Sequence, residues 1–118
     1  MDTESTISVI MAVYNKAKYL EKSIESIINQ TYESIQLIIV DDNSDDSSRE
    51  IIKKIEKKHK NIITICNDKN MGCYKCRNIG LRYAIGKYIT FHDADDYSIK
   101  NRFELQINHM VEHNLLLI

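Results

Sequence analysis

Proline is missing from the 118 residues altogether and glycine occurs only three times, where average usage of roughly 5% and 7% would give about six and eight. Those shortages exclude collagen-like, proline-rich and glycine/serine low-complexity chains. They also exclude a G-x-G-x-x-G dinucleotide turn and a G-x-x-x-x-G-K-[ST] phosphate loop, because Gly72, Gly80 and Gly86 stand at neither spacing. An excess of one charge is lacking too. Sixteen basic residues against seventeen acidic ones leave a net charge of −1, so no strong field draws in nucleic acid or an anionic membrane. No apolar run approaches the roughly 20 residues that span a bilayer. The start, Met1-Asp2-Thr3-Glu4, is acidic and polar, unlike a signal peptide. Cysteine is scarce and odd in number, at three, which argues against a disulfide scaffold and for a reducing compartment. The expectation is a cytoplasmic globular protein with no nucleic-acid partner and no transmembrane segment.

What is present is 43% hydrophobic and 28% charged, a globular composition. Short β-branched apolar runs alternate with amphipathic stretches. Ile7–Val13, Ile35–Val40, Ile62–Cys66 and Tyr88–Phe91 read as strands; the first two are apolar at nearly every position, as strands of a parallel sheet covered on both faces are. Helical spacing returns between them. Leu20, Ile24, Ile27 and Ile28 share a face within about Ala17 to Asn29, and Ile51, Ile52 and Ile55 follow Asp45. Gly72 to Ile85 is a third helix with Gly86 as its stop, and about Ile99 to Glu112 is a fourth. The order βαβαβαβα predicts an α/β fold, a mostly parallel sheet with flanking helices. We expect one domain over residues 1–118, incomplete at its C-terminus, because Leu115-Leu-Leu-Ile118 is an apolar run in which a further strand would begin.

In open α/β sheets, ligands bind outside the carboxyl ends of the strands. The first strand ends in Tyr14-Asn15 and the second in Asp41-Asp42-Asn43-Ser44-Asp45-Asp46. The third ends in Asn67-Asp68, with Arg77 a little beyond, and the fourth in His92-Asp93-Ala94-Asp95-Asp96. The second and fourth joints alone bring seven aspartates to one edge, a concentration of charge that calls for a cation or for shifted pKa values. Asp93-x-Asp95 can turn two hard oxygen donors towards one point, which suits Mn²⁺ or Mg²⁺ completed by phosphate oxygens and water. Asp45 and Asp46 directly precede a helix and read instead as turn formers and N-caps.

Four blocks then stand in order: Ser8-Val-Ile-Met-Ala-Val-Tyr-Asn15, Val40-Asp-Asp-Asn-Ser-Asp45, Asn70-Met-Gly-Cys-Tyr-Lys-Cys-Arg-Asn-Ile-Gly80 and Gly86-Lys-Tyr-Ile-Thr-Phe-His-Asp-Ala-Asp-Asp96. Together they cover nearly the whole chain and resemble the family 2 (GT-A type) glycosyltransferases. The resemblance implies a Rossmann-like sheet, a nucleotide-sugar donor that is most often UDP-linked, and sugar transfer to an acceptor hydroxyl. It implies that Ala12 and Tyr14 contact the nucleoside, Tyr14 against the base, and that Asp42 accepts the uracil N–H. Arg77 would reach the base or the diphosphate, Asp93 the ribose or the metal's water shell, and Asp95 the metal itself; the role of Asp96 is left open. Ala12 and Cys76 depart from the family's frequent proline and alanine, and His92 from its usual apolar residue. The catalytic base and acceptor site of the family lie further downstream, so no catalytic residue is assigned in this chain. The alternative is a non-catalytic nucleotide-binding module.

Rival motifs are weaker. Cys73-x-x-Cys76 at a helix start could hold a thiolate, but two small residues beneath a loop explain it as well. His109-x-x-Glu112-His113 matches an inverted zincin pattern with no third ligand after it, and reads as a solvated face. Asp93-x-Asp95 is also similar to the nucleophile motif of haloacid-dehalogenase-like phosphatases, which belongs on a first strand rather than a fourth. Lys53-Lys54 and Lys57-Lys58 read as a solvated basic face.

Overall fold

The computed structural model describes residues 5–113. Four strands, β1 (Ile7–Val13), β2 (Ile35–Asp41), β3 (Ile62–Cys66) and β4 (Tyr88–Phe91), alternate with four helices, α1 (Ala17–Ile28), α2 (Ser48–Glu56), α3 (Cys73–Leu81) and α4 (Arg102–His113). The strands form one all-parallel sheet in the order β3-β2-β1-β4. The chain therefore winds outwards from β1 to β3 and then crosses to the other side for β4, a Rossmann-like arrangement. All seven residues of β2 are buried, because helices cover both of its faces.

Side chains alternate along a strand, and each face has its own core. Ile7, Val9, Met11 and Val13 of β1 join Leu37 and Ile39 of β2 beneath Leu20, Ile24 and Ile27 of α1, Ile52 of α2, and Phe103 and Ile107 of α4. The intervening residues Ile10, Ile38 and Val40 pack with Cys76 and Ile79 of α3 on the opposite face. Contact there is close. A Cβ on Gly80 would lie 2.6 Å from Cγ2 of Ile10, so only glycine lets α3 settle onto β1 at this depth.

Two helices depart from the sequence expectation. Helix α3 ends at Leu81 rather than near Ile85, because buried polar groups capture the chain beyond it. Gln36 on β2 donates to the Tyr83 carbonyl and accepts the Ile85 N–H, each at 3.0 Å, while Ser8 Oγ accepts the Gly86 N–H at 2.9 Å. Gly86 is thus not a helix stop; a Cβ there would meet the Thr6 carbonyl at 2.5 Å. Helix α4 begins at Arg102, not Ile99. Gln30 at the end of α1 donates to the Ile99 carbonyl at 2.6 Å and accepts the Phe103 N–H at 3.0 Å, which sets the first turn. The expected strand at Leu115–Ile118 lies outside the described residues.

Candidate functional site

Strand alternation separates the two aspartates that end β2. Asp41 continues the Leu37–Ile39 face and meets α2: its Oδ2 accepts Arg49 Nε at 2.7 Å and the Ser44 N–H at 3.0 Å. The Arg49 guanidinium also donates to the Asn67 carbonyl, tying the ends of β2 and β3 together. The buried carboxylate beside it holds the Arg49 pKa above its ordinary value. Asp42 continues the Ile38–Val40 face and turns towards α3. Its Oδ1 accepts the Met71 N–H at 2.8 Å and Asn67 Nδ2 at 3.1 Å, and its Oδ2 accepts the Gly72 N–H at 2.9 Å. Burial alone would raise its pKa, but the donors from Met71, Asn67 and Gly72 outweigh it and hold the group below the ordinary value. Gly72 takes φ +93°, a backbone that disfavours any side chain and that aims its N–H at Asp42. The Cys76 thiol is a further, weaker donor to the same carboxylate.

Asp46 bridges two helix starts. Its Oδ1 accepts the Ser48 N–H at 2.8 Å in α2, and its Oδ2 accepts the Ala17 N–H at 3.2 Å in α1. The expected capping role is met, although Ser47 holds the N-cap position of α2. Asn15, at φ 51°, closes the same corner by accepting the Asp45 N–H at 2.9 Å.

The joint after β4 is different. Asp93, Asp95 and Asp96 are exposed, and each offers an oxygen within 4.8 Å of the others, the one such convergence of metal-capable groups found among the described residues. Two cations lean on it from either side: Lys16 Nζ lies 3.5 Å from Asp95, and Arg77 Nη2 lies 3.5 Å from Asp93. Arg77 also stacks on Phe91, 4.9 Å from the ring centre.

A row of polar side chains on α1 fixes the backbone of this joint. Ser23 Oγ donates to the Asp93 carbonyl at 3.2 Å, Ser26 Oγ accepts the Ser98 N–H at 3.1 Å, and Gln30 follows one turn on. His92 faces inwards, not towards the acidic cluster. Its Nδ1 lies 3.0 Å from the Asp93 carbonyl, which requires the proton there, and its Nε2 faces Ser98 Oγ at 2.8 Å. Burial, reinforced by the charge of Arg102, pushes its pKa below the ordinary value.

Between the two joints lies a cleft of about 390 Å³ lined by Ala12, Val13, Tyr14, Lys16, Asp42, Cys73, Cys76, Asp93, Ala94 and Asp95. Its size falls within the roughly 300–1,000 Å³ of small-molecule sites. Of the predicted site residues, Ala12, Tyr14, Asp42, Asp93 and Asp95 meet at this cleft, and Arg77 reaches it through Asp93. Tyr14 is 44% exposed at the rim. Two other clefts of about 350 Å³ lie along α1 and α2 and are lined mainly by isoleucines, lysines and glutamates, with no convergent set of donors. Sequence reasoning missed Lys16 and Asn67. Lys16 follows the strand-ending Tyr14-Asn15 directly, and Asn67 stands one residue beyond β3 as Asp42 stands one beyond β2, signals that were legible.

The rival motifs lose ground here. Burial, then the nearby Asp42 carboxylate, pushes the Cys76 thiol up to about 12, so it is no thiolate. His109 and His113 stack on each other with ring centres 4.3 Å apart on an exposed face.

Fold and cleft together define an α/β domain that presents three convergent carboxylates and an anchored fourth at the carboxyl edge of a parallel sheet. The chain belongs to glycosyl transferase family 2, whose model matches residues 8–118. It is 44% identical over 111 residues to an uncharacterized glycosyltransferase of Haemophilus influenzae, covering 94% of this chain and 44% of that protein. The chain spans less than half the length of such relatives. TarS 1–349 of S. aureus in complex with UDP-GlcNAc superposes with a TM-score of 0.86 at 30% identity, covering 92% of this chain and 32% of that one. The mannosyltransferase PcManGT of Pyrobaculum calidifontis, in complex with GDP-Man and Mn²⁺, shares the fold, with a TM-score of 0.74 at 23% identity over 81% of this chain and 29% of that one. Among the described residues, no helix is long and apolar enough to cross a membrane.

Proposed function

We propose that this chain is the donor-binding part of a metal-dependent glycosyltransferase that takes a UDP-sugar and serves sugar transfer to an acceptor hydroxyl. One observation carries the reading. A single cleft is lined by a fixed carboxylate, Asp42, and by Asp93 and Asp95, whose oxygens converge with that of Asp96. That spacing of functions matches the two ends of a nucleoside diphosphate. The exposed Tyr14 ring offers an apolar face to the base, and Ala12 leaves room beneath it. Asp42, held as a carboxylate at the cleft wall, would accept an imide N–H, which uracil has and which adenine and cytosine lack. Family membership and the UDP-GlcNAc complex of TarS support this choice of donor.

The three carboxylates fit a divalent ion. They are hard oxygen donors, exposed enough to leave positions for water and phosphate, as Mn²⁺ and Mg²⁺ require. Asp95 and Asp93 would hold the ion. When bound, it supplies charge neutralisation for the diphosphate leaving group. Arg77 and Lys16, now paired with those aspartates, stand where they can turn to the phosphates. The proposal assigns no catalytic base to this chain. The three unpaired thiols suit a cytoplasmic setting.

The test is calorimetry of UDP, GDP, dTDP and CDP with and without Mn²⁺. UDP should bind most tightly, and more tightly with Mn²⁺. A preference for GDP, or no nucleotide binding at all, would overturn the reading.

A further inference from the structure

We infer that Asn67 is a specificity-determining positioning residue: it holds the Asp42 carboxylate in the orientation that distinguishes a base with an imide N–H from one without. The inference rests on the donor reading above and goes beyond it, to the group that makes Asp42 selective. Asn67 is 8% exposed, and its Nδ2 donates to Asp42 Oδ1 at 3.1 Å. Its backbone is clamped on both sides. Its N–H donates to the Asp41 carbonyl at 2.8 Å, and its own carbonyl accepts the Arg49 guanidinium. Chemistry fixes which way the amide faces, because a carboxylate only accepts and so the NH₂ must point at Asp42.

The consequence is geometric. Met71 N–H and Asn67 Nδ2 fill Oδ1, and Gly72 N–H takes one site on Oδ2. The two backbone donors come from a single loop, which turns at Gly72 with φ +93°. Asn67 is the donor that comes from the sheet, so it fixes the rotation of the carboxylate about χ2 independently of that loop. The groups facing this pair are the Cys76 thiol, 3.5 Å from Nδ2, and Arg49 through the carbonyl. Neither can replace the amide. The thiol is a weak donor already given to Asp42 beside the amide, and the guanidinium is committed to Asp41.

Two variants test this in the whole chain, with UDP and CDP as probes and Mn²⁺ present throughout. CDP shares every phosphate and ribose contact but offers an acceptor at the position of the uracil imide, so the UDP:CDP affinity ratio isolates the base. Asn67→Asp keeps the size but sets a second carboxyl against Asp42, and a like charge this close raises the pKa of the introduced group. The ratio should fall about tenfold at pH 8. It should recover towards the wild-type ratio at pH 6, where the introduced carboxyl takes the proton and donates as the amide did. Asn67→Ser is too short to reach and should lower the ratio at both pH values by about fivefold. It decides the matter alone if Asn67→Asp does not fold. Equal losses for UDP and CDP, or an unchanged ratio, would make Asn67 a structural residue and overturn the inference while leaving the donor reading intact. A wild-type chain with no preference for UDP over CDP would overturn the donor reading and the inference with it.

Discussion

The joints after β2 and β4 use the same residue at the same edge of the sheet, yet they reach opposite chemical states. After β2, Asp41, Asp42 and Asp46 are taken up by Arg49, by backbone N–H groups and by Asn67. After β4, Asp93, Asp95 and Asp96 are exposed, converge within 4.8 Å and, among the described residues, form ion pairs with Lys16 and Arg77 at 3.5 Å. The first joint builds the wall of the cleft; the second keeps free oxygens at its mouth. Aspartates crowded along a sheet edge mark where a cleft forms, and their hydrogen bonds decide which of them can still bind a ligand.

The comparison can be broken from either side. The largest effect should come from Asp41→Ala, which leaves the Arg49 guanidinium without its buried partner. Urea unfolding should show the midpoint lowered clearly; an unchanged midpoint would mean that this joint is less structural than its contacts indicate. Next comes Asp42→Asn, which keeps the shape but presents an NH₂ to groups that already donate. UDP affinity should drop about tenfold, and by clearly more than ADP affinity. Equal losses in calorimetry would mean that Asp42 does not read the base.

The smallest effect concerns pH and the one buried titratable group of the β4 joint. The pKa of His92 is lowered in the folded state, chiefly by burial, so the unfolded chain takes up the proton first. Its contribution to stability is therefore complete above the unfolded value of about 6.5 and is lost as pH falls through that value towards the folded one. Between pH 7.5 and 5.5 the loss should be at most about 1.4 kcal/mol, and His92→Gln should remove that part of the slope. A variant that keeps the wild-type slope in thermal unfolding would assign it elsewhere.

Much of this was legible in the residues. The four strands needed nothing beyond their apolar runs, since burial on both faces leaves little room for polar residues. The convergence of Asp93 and Asp95 was legible from their spacing beyond a strand end, and the structure brings their oxygens within 4.8 Å together with Asp96. The ends of α3 and α4 were not legible. They depend on Gln36, Ser8 and Gln30, side chains 28 or more residues from those that they accept or donate to in β1, the α3–β4 turn and the α4 entry, and no local pattern reports such contacts. The different fates of Asp41 and Asp42 were hidden in a simpler way. Adjacent residues on a strand face opposite sides, and a motif written as a string treats them as one feature. His92 looked like part of the acidic cluster for the same reason, and it faces the other way.

The central claim is that the β4 joint, and not the β2 joint, takes the metal that the donor needs. The direct measurement is UDP affinity with and without Mn²⁺ for the wild-type chain, Asp95→Ala and Asp46→Ala. We predict that Mn²⁺ tightens UDP binding by about tenfold or more in the wild-type chain and in Asp46→Ala, and not at all in Asp95→Ala. An undiminished gain in Asp95→Ala, or no gain in the wild-type chain, would contradict the account.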